Sequence, residues 1–153
     1  MDEQLDQLVL RVRPEMLPGG DRESTLRLLA DELTASMPEL DSPAFVMNDA
    51  WERELVEPTY IGMGLAVPHA RVRGLSRAGL YMGFNQAGIP WPHEEAHFIA
   101  LLVVPWEAPE MHLQLLARLV RWRKNLTEAE ACALAESPDK WTVALDDAFL
   151  DLL

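Results

Sequence analysis

The sequence predicts a single α/β domain over residues 1–153, with a central mixed β-sheet flanked by helices on both faces. Three observations predict this fold class. The length of 153 residues is close to that of one ordinary domain. Hydrophobic residues make up 49% of the chain, which is enough for one sizeable core. Short apolar runs in the middle of the chain lie between segments of helical periodicity at both ends, as in layered α/β domains.

The beginning of the chain predicts one core-packing segment and one helix. Leu5–Val12 is apolar and predicts a strand or a helical turn, broken by Pro14 and by the Pro-Gly-Gly sequence at 18–20. Asp21 predicts the N-cap of a helix over 22–37, because leucines recur there at helical spacing.

A second helix and the central strands follow. Ser42 is a typical cap before a proline at the first helical position, which predicts a helix from 43 to about 55. The apolar runs predict three strands, at 65–67, 80–84 and 98–104. The last run is continuous and is typical of a strand buried on both faces. Gly88 and Pro90 predict a loop over 86–92.

The end of the chain predicts three helices. Pro109 opens one that runs to about Lys124. Thr127 and Glu130 have the spacing of a capping box for a helix to about 136. The Ser-Pro-Asp sequence at 137–139 predicts the start of a last helix toward Leu150.

Composition excludes several function classes. The formal net charge is −12, which argues against a nucleic-acid partner because phosphate backbones require basic surface. No apolar run approaches the roughly 20 residues that span a bilayer, and the first ten residues lack the pattern of a signal peptide, so no membrane insertion is expected. Cys132 is the single cysteine, so no internal disulfide is possible. We therefore expect a cytoplasmic protein.

The most informative segment runs from Gly62 to Arg71. Pro68 removes a backbone donor after the 65–67 strand, so the strand pairing should stop there and His69 should stand at the strand end. Neutral imidazole is a good nucleophile near pH 7 because its ordinary pKa is about 6.5. A histidine fixed beside Arg71 is a natural acceptor for an anionic group.

This segment resembles the active-site strand of the fructose-, mannitol- and nitrogen-regulatory-type enzyme IIA domains of the bacterial phosphoenolpyruvate-dependent phosphotransferase system. Tyr60–Arg71 is similar to the family pattern around its phosphorylated histidine. Glu52-Arg53-Glu54 resembles the family's E-R-E, and the blocks at 99–105 and 109–116 resemble its second histidine region. The resemblance implies a type 2 enzyme IIA fold.

The resemblance also implies a set of roles. His69 would accept a phosphoryl group from an upstream histidine phosphocarrier and pass it to a IIB-type protein, or hold it as a regulatory signal. Arg53 would stabilise the phosphate, and His112 would be the second active-site histidine. The loop beside the phosphate would contain Thr59, Gly62, Gly64 and Arg71. No cofactor is expected.

Two alternatives stay open. Pro58, Tyr60 and Met63 depart from the family pattern, and a bulky Tyr60 would narrow a phosphate pocket. Tyr60 and Met63 favour a regulatory binding module that kept the fold and lost transfer. His93–His97 matches H-E-x-x-H, the zinc metalloprotease pattern, which works only on a helix. Two prolines precede it and a buried strand follows it, which leaves no room for such a helix, so no metal site is expected. Metal binding by His93 and His97 at the surface stays an alternative.

Two clusters of basic residues have different interpretations. One cluster follows His69 and adjoins the candidate phosphate site, so it is either functional or solvated surface. The other closes the helix that Pro109 opens, where cations complement the helix dipole. The clusters are Arg71, Arg73 and Arg77, and Arg118, Arg121, Arg123 and Lys124.

Overall fold

A computed structural model describes residues 8–13, 15–149 and 151. The strands are β1 (Val9–Val12), β2 (Tyr60–Gly62), β3 (Leu65–Ala66), β4 (His69–Val72), β5 (Gly79–Trp91) and β6 (Glu94–Pro105). The helices are α1 (Arg22–Ser36), α2 (Pro43–Val56), α3 (Glu110–Lys124), α4 (Glu128–Ala135) and α5 (Pro138–Ala148). In this part of the chain, no helix has the length and apolar character needed to cross a membrane.

The strands form one mixed sheet in the order β1-β5-β6-β3-β2, and β4 also pairs with β6. β1 is parallel to β5, β5 is antiparallel to β6, and β2 is antiparallel to β3. β3 and β4 both run parallel to β6, so two consecutive short strands share one edge of that strand. This arrangement confirms the predicted α/β class with a central mixed sheet.

Both faces of the sheet are covered, which explains the continuous apolar run of β6. Phe98, Ala100 and Leu102 face the cluster that contains buried side chains of α3, α4 and α5. Ile99 and Leu101 face the other cluster, which contains those of α1 and α2. Successive residues of a strand point to opposite faces, so a strand covered twice needs apolar side chains throughout.

Side-chain capping contacts mark the starts of α1, α2 and α4, whereas α3 and α5 begin without one. Asp21 caps α1 in a capping box with Ser24, and the Ser42 side chain accepts from the Ala44 backbone N–H at the start of α2. Thr127 and Glu130 form the capping box of α4. The last helix begins at Pro138 and ends at Ala148. The predicted contributions of Leu5–Gln7, Pro14 and Leu150 lie outside the described residues.

The predicted loop over 86–92 is wrong. β5 continues to Trp91 and β6 begins at Glu94, so this region is a long hairpin arm with a register shift between Phe84 and Ile89. Ile89 and Trp91 are buried whereas Pro90 is exposed. Pro90 is tolerated because its side chain faces solvent and the register shift relaxes the ladder beside it.

The expectation that His69 ends a strand is also wrong. Pairing with β6 breaks after Ala66 and resumes at His69, which is the first residue of β4 and lies opposite Leu102. Pro68 lacks an N–H, but its carbonyl oxygen accepts from the Leu102 backbone N–H at 3.0 Å. This bond keeps the chain on β6, so Pro68 interrupts the pairing without ending it.

Candidate functional site

A cleft of about 640 Å³ lies where α2, the start of β4 and the start of α3 meet. β4 contributes His69 as its first residue, and α3 contributes His112 from its first turn. Arg53 lies in the last turn of α2. The cleft is lined by Asp49, Glu52, Arg53, Val56, Glu57, Pro58, Thr59, Ile61, Val67, His69, His112 and Leu116. The structure therefore brings together the three residues that the resemblance assigns to phosphoryl transfer.

The two histidine rings stack on each other in this cleft. Their centroids are 3.9 Å apart and their planes are inclined by 25°. Nδ1 of His69 is buried and has no hydrogen-bond partner among the described residues. Because Nδ1 is closed to solvent, Nε2 is the nitrogen of His69 that an incoming group in the cleft can reach.

The surroundings keep both imidazoles neutral near pH 7. Burial lowers the pKa of His69 to about 4, aided by His112 and the positive charge of Arg53 and opposed by the Asp49 carboxylate. Burial also lowers the pKa of His112, and the positive charges of Arg53 and Arg71 act in the same direction. A neutral ring has the free nitrogen lone pair that nucleophilic attack requires.

Arg53 is oriented by an acidic neighbour on its own helix. Its Nε donates to Oδ2 of Asp49 at 3.0 Å, a pair with i,i+4 spacing. The same Oδ2 accepts from the backbone N–H of Arg71 at 2.9 Å. Sequence reasoning missed Asp49, although its spacing from Arg53 on a predicted helix was an available signal.

Glu54 is a second acidic residue that sequence reasoning missed. It is fully buried and accepts from the Thr59 backbone N–H at 2.7 Å and from the Thr59 hydroxyl at 2.9 Å. The Trp91 indole N–H also donates to it. The predicted phosphate-loop hydroxyl of Thr59 lies in the cleft, but it donates to this carboxylate. Glu54 thus fixes the segment after α2 against the hairpin arm.

The Arg71 side chain points to the edge of the candidate site. It donates to the Trp106 carbonyl oxygen at 3.1 Å, and its guanidinium lies 4.4 Å from the centre of the Trp106 ring. The Arg73 guanidinium lies 4.3 Å from that ring centre. Two cations on one indole are typical of cation–π packing. Arg71 therefore lowers the pKa of His112 without lining the cleft, and Arg77 pairs with Glu39 elsewhere.

The glycines of the turn between β2 and β3 do not line the cleft of His69. Gly62 and Gly64 both have positive φ, 106° and 76°, which glycine adopts without strain. Gly64 lines a second cavity of about 760 Å³, here called the rear cavity, and neither glycine lines the cleft. The rear cavity is lined by Tyr60, Met63, Gly64, Phe84, Gln86, His93, Glu94, Glu95, His97, Phe98, Arg123, Glu128, Ala131 and Cys132.

Arg123 in the rear cavity is a structural residue. It is 3% exposed, and it donates from Nε to the Met63 carbonyl oxygen at 2.8 Å. Its terminal nitrogens donate to the Leu126 carbonyl oxygen and to Glu128. Arg123 does lie in the last turn of α3, as predicted, and its buried side chain also connects α3 to the glycine turn and to α4.

The H-E-x-x-H match does not form a metalloprotease site. His93 lies in the turn of the hairpin arm with φ of 70°, and His97 lies on β6 with Nδ1 3.2 Å from the Asn85 carbonyl oxygen. The motif needs a helix to bring both rings to one face, and here it starts a strand. Among the described residues, no group of three or more histidine, cysteine or acidic side chains is placed to hold a metal ion.

Comparisons with known proteins match most of this chain. A family model described as "Phosphoenolpyruvate-dependent sugar phosphotransferase system, EIIA 2" matches residues 16–146. The 2-O-α-mannosyl-D-glycerate-specific EIIABC component of Escherichia coli (strain K12) is 29% identical over 134 residues. That match covers 82% of this chain but only 20% of the relative, so the chain spans about a fifth of the relative's length.

Two further matches carry nitrogen-regulatory names. The nitrogen regulatory protein of Pseudomonas aeruginosa (strain PAO1) is 27% identical over 106 residues, which cover 67% of this chain and 68% of that protein. The crystal structure of the nitrogen regulatory protein IIA-Ntr from Neisseria meningitidis superposes with a TM-score of 0.69 at 21% identity. It covers 92% of this chain and 94% of that chain, which shows a shared fold.

Proposed function

The chain belongs to the EIIA 2 family of the phosphoenolpyruvate-dependent sugar phosphotransferase system, and we propose that it carries a phosphoryl group on His69. The group comes from an upstream histidine phosphocarrier and goes to a IIB-type protein, or is held as a regulatory signal. The observation that carries this proposal is the stacked pair of His69 and His112 beside Arg53 in one open cleft.

The geometry supports an in-line transfer to Nε2 of His69. The neutral ring attacks the phosphorus of the donor's phosphohistidine, so the Nε2–P bond forms while the donor's N–P bond breaks and the donor's imidazole leaves. Such transfers need mainly positioning and charge stabilisation from the protein. The terminal nitrogens of Arg53 supply two parallel donors for phosphoryl oxygens, and an N–H of His112 supplies a third.

The regulatory role and the transport role use the same chemistry. The EIIABC relative joins its EIIA part to B and C parts in one chain, which supports a IIB-type recipient for this domain. The Pseudomonas aeruginosa relative is named a nitrogen regulatory protein, which supports a signalling role. We favour the regulatory role, because no residue of the cleft points to a particular sugar.

The alternative of a binding module without transfer loses the observations that favoured it. Tyr60 accepts from the Gly64 backbone N–H at 2.9 Å and lines the rear cavity, as Met63 does. Neither side chain lines the cleft of His69. The bulk of Tyr60 therefore does not narrow the space in which a phosphoryl group would lie.

The test is phosphorylation of the purified protein by phosphoenolpyruvate and the general phosphotransferase components, followed by intact mass. We expect an acid-labile adduct on the wild type and none on His69→Ala. His93→Asn is the matched control, because it removes an exposed histidine of the rear cavity and asparagine tolerates the positive φ there. An adduct on His69→Ala would overturn the assignment of the site. No adduct on the wild type with several donor proteins would overturn the transfer function and favour a binding module.

A further inference from the structure

Asp49 connects the two elements that carry Arg53 and His69. It lies on α2, one turn before Arg53, and its oxygen Oδ2 accepts both the Arg53 Nε–H and the Arg71 backbone N–H. Arg71 is two residues after His69 on β4. One carboxylate oxygen therefore ties the arginine of the helix to the strand that begins with the nucleophile.

This contact sets the direction of the Arg53 guanidinium. The guanidinium is planar, so a hydrogen bond at Nε also restricts how the plane can rotate. The two terminal nitrogens lie at the far end of this plane and take no part in that bond. Among the described residues, those nitrogens have no hydrogen-bond partner, and they belong to a side chain that lines the cleft. The arrangement presents the free edge for the paired bonds that arginine makes with phosphoryl oxygens.

The negative charge of Asp49 is unfavourable for a cleft that binds a phosphoryl group. Asp49 lines the cleft with a side chain that is 23% exposed. Its negative charge repels a phosphoryl group that is also negative, and like charges at close range are unfavourable. Orientation of Arg53 is the contribution that compensates for this repulsion.

We propose that Asp49 is the positioning residue of the phosphoryl transfer, acting through Arg53; this inference rests on the proposed function. Asp49→Ala removes the acceptor and frees the guanidinium. We expect it to slow phosphorylation of His69 by roughly ten- to 100-fold, since a misplacement of about 1 Å can cost a factor of about 100. Asp49→Asn keeps an oxygen in the acceptor position and should stay within about threefold of the wild type.

The decisive kinetic experiment is a double-mutant cycle with Arg53→Ala. If Asp49 acts through Arg53, adding Asp49→Ala to Arg53→Ala slows the reaction no further, and the loss of the negative charge leaves the rate equal or slightly higher. Glu23→Ala is the matched control, because Glu23 is the i,i+4 acidic partner of Arg27 on α1, away from the cleft. It should leave the rate unchanged. Additive effects of Asp49→Ala and Arg53→Ala, or a faster reaction in Asp49→Ala, would overturn the proposal.

A second readout separates this proposal from the proposed function. The Nε–H of Arg53 in wild-type protein should give a slowly exchanging signal in nitrogen-15 NMR, retained in Asp49→Asn and lost in Asp49→Ala. If that pattern appears but the wild type accepts no phosphoryl group, the proposed transfer function is wrong, whereas the orientation of Arg53 by Asp49 is supported. If the signal is unchanged in Asp49→Ala, the proposal that Asp49 orients Arg53 is refuted, whatever the phosphorylation rate.

Discussion

The cleft and the rear cavity contain the same kinds of side chain but differ in how completely those side chains are hydrogen-bonded within the protein. Each has two histidines and one arginine: His69, His112 and Arg53 in the cleft, and His93, His97 and Arg123 in the rear cavity. In the cleft, the rings stack, and among the described residues Arg53 is held only through its Nε–H. In the rear cavity, Arg123 bonds to two backbone carbonyls and a carboxylate.

The difference shows that composition does not identify a site. The rear cavity is the larger of the two, and it is lined by residues of the H-E-x-x-H motif, which is catalytic in zinc metalloproteases. Its arginine nevertheless has all three of its nitrogens bonded within the protein. A binding site needs polar atoms that the fold positions but does not bond, and these lie in the cleft.

The largest expected effect comes from Arg53→Ala. This change removes the donors that would hold the phosphoryl oxygens, so phosphorylation of His69 should slow by roughly 100- to 1000-fold, as for other lost charge-stabilising donors. The free energy of unfolding should change little, because the side chain is partly exposed and its pair with Asp49 is a single i,i+4 contact. Rates by intact mass and urea unfolding measure both. A rate close to that of the wild type would contradict this use of the cleft.

Arg123→Ala should give the reverse result. The side chain is almost fully buried, and its loss leaves the Met63 and Leu126 carbonyl oxygens without their donor. We expect the free energy of unfolding to fall by about 3 kcal/mol, the sum of a few bonds to a charged group. At temperatures where the variant stays folded, its phosphorylation rate should match that of the wild type. A large loss of rate without loss of stability would make the rear cavity part of the transfer site.

Helix positions were predictable from the sequence because their signals are local. Asp21, Ser42 and Thr127 lie next to the helices they cap, and the leucine spacing of α1 needs no distant partner. The hairpin arm was not predictable, because Gly88 and Pro90 are typical of loops. What makes the arm a strand is distant: Trp91 is buried and bonds to Glu54 on α2.

Contacts between residues distant in sequence also limited what could be predicted about the site. The family resemblance assigned roles to His69, His112 and Arg53, and the fold places them in one cleft. The roles of Asp49 and Glu54 were missed: the Asp49–Arg53 spacing on one helix was a local signal that went unused, whereas the contacts with Arg71 and Trp91 form only when the sheet does. Of the two glycines that the resemblance assigns to the phosphate loop, Gly64 lines the rear cavity, and neither Gly62 nor Gly64 lines the cleft.

A smaller effect is expected in the pH dependence of the free energy of unfolding, to which the histidines of the cleft contribute. The pKa of His69 is about 4 in the folded protein against 6.5 ordinarily, so between these values the unfolded chain takes up a proton that the folded protein does not. The free energy of unfolding should therefore fall as the pH is lowered from about 6.5 to about 4, with His112 acting in the same direction. His69→Gln should reduce this slope in urea unfolding measured across that range. Equal slopes in the two proteins would show that the His69 ring is not held neutral by its surroundings.

The smallest expected effect tests whether the two regions are independent. Met63 has φ of 55° and a side chain that is 41% exposed, so Met63→Gly relieves an unfavourable backbone conformation and removes little packing. The greater freedom of glycine in the unfolded chain offsets part of this gain, so we expect stabilisation of up to about 1 kcal/mol. Ile61→Gly is the matched control for unfolding, since it has no positive φ to relieve and should destabilise. The carbonyl of residue 63 still accepts from Arg123, so the phosphorylation rate of Met63→Gly should equal that of the wild type. A clear rise in that rate would mean that the glycine turn restrains His69 through β3, and that the cleft and the rear cavity act as one site.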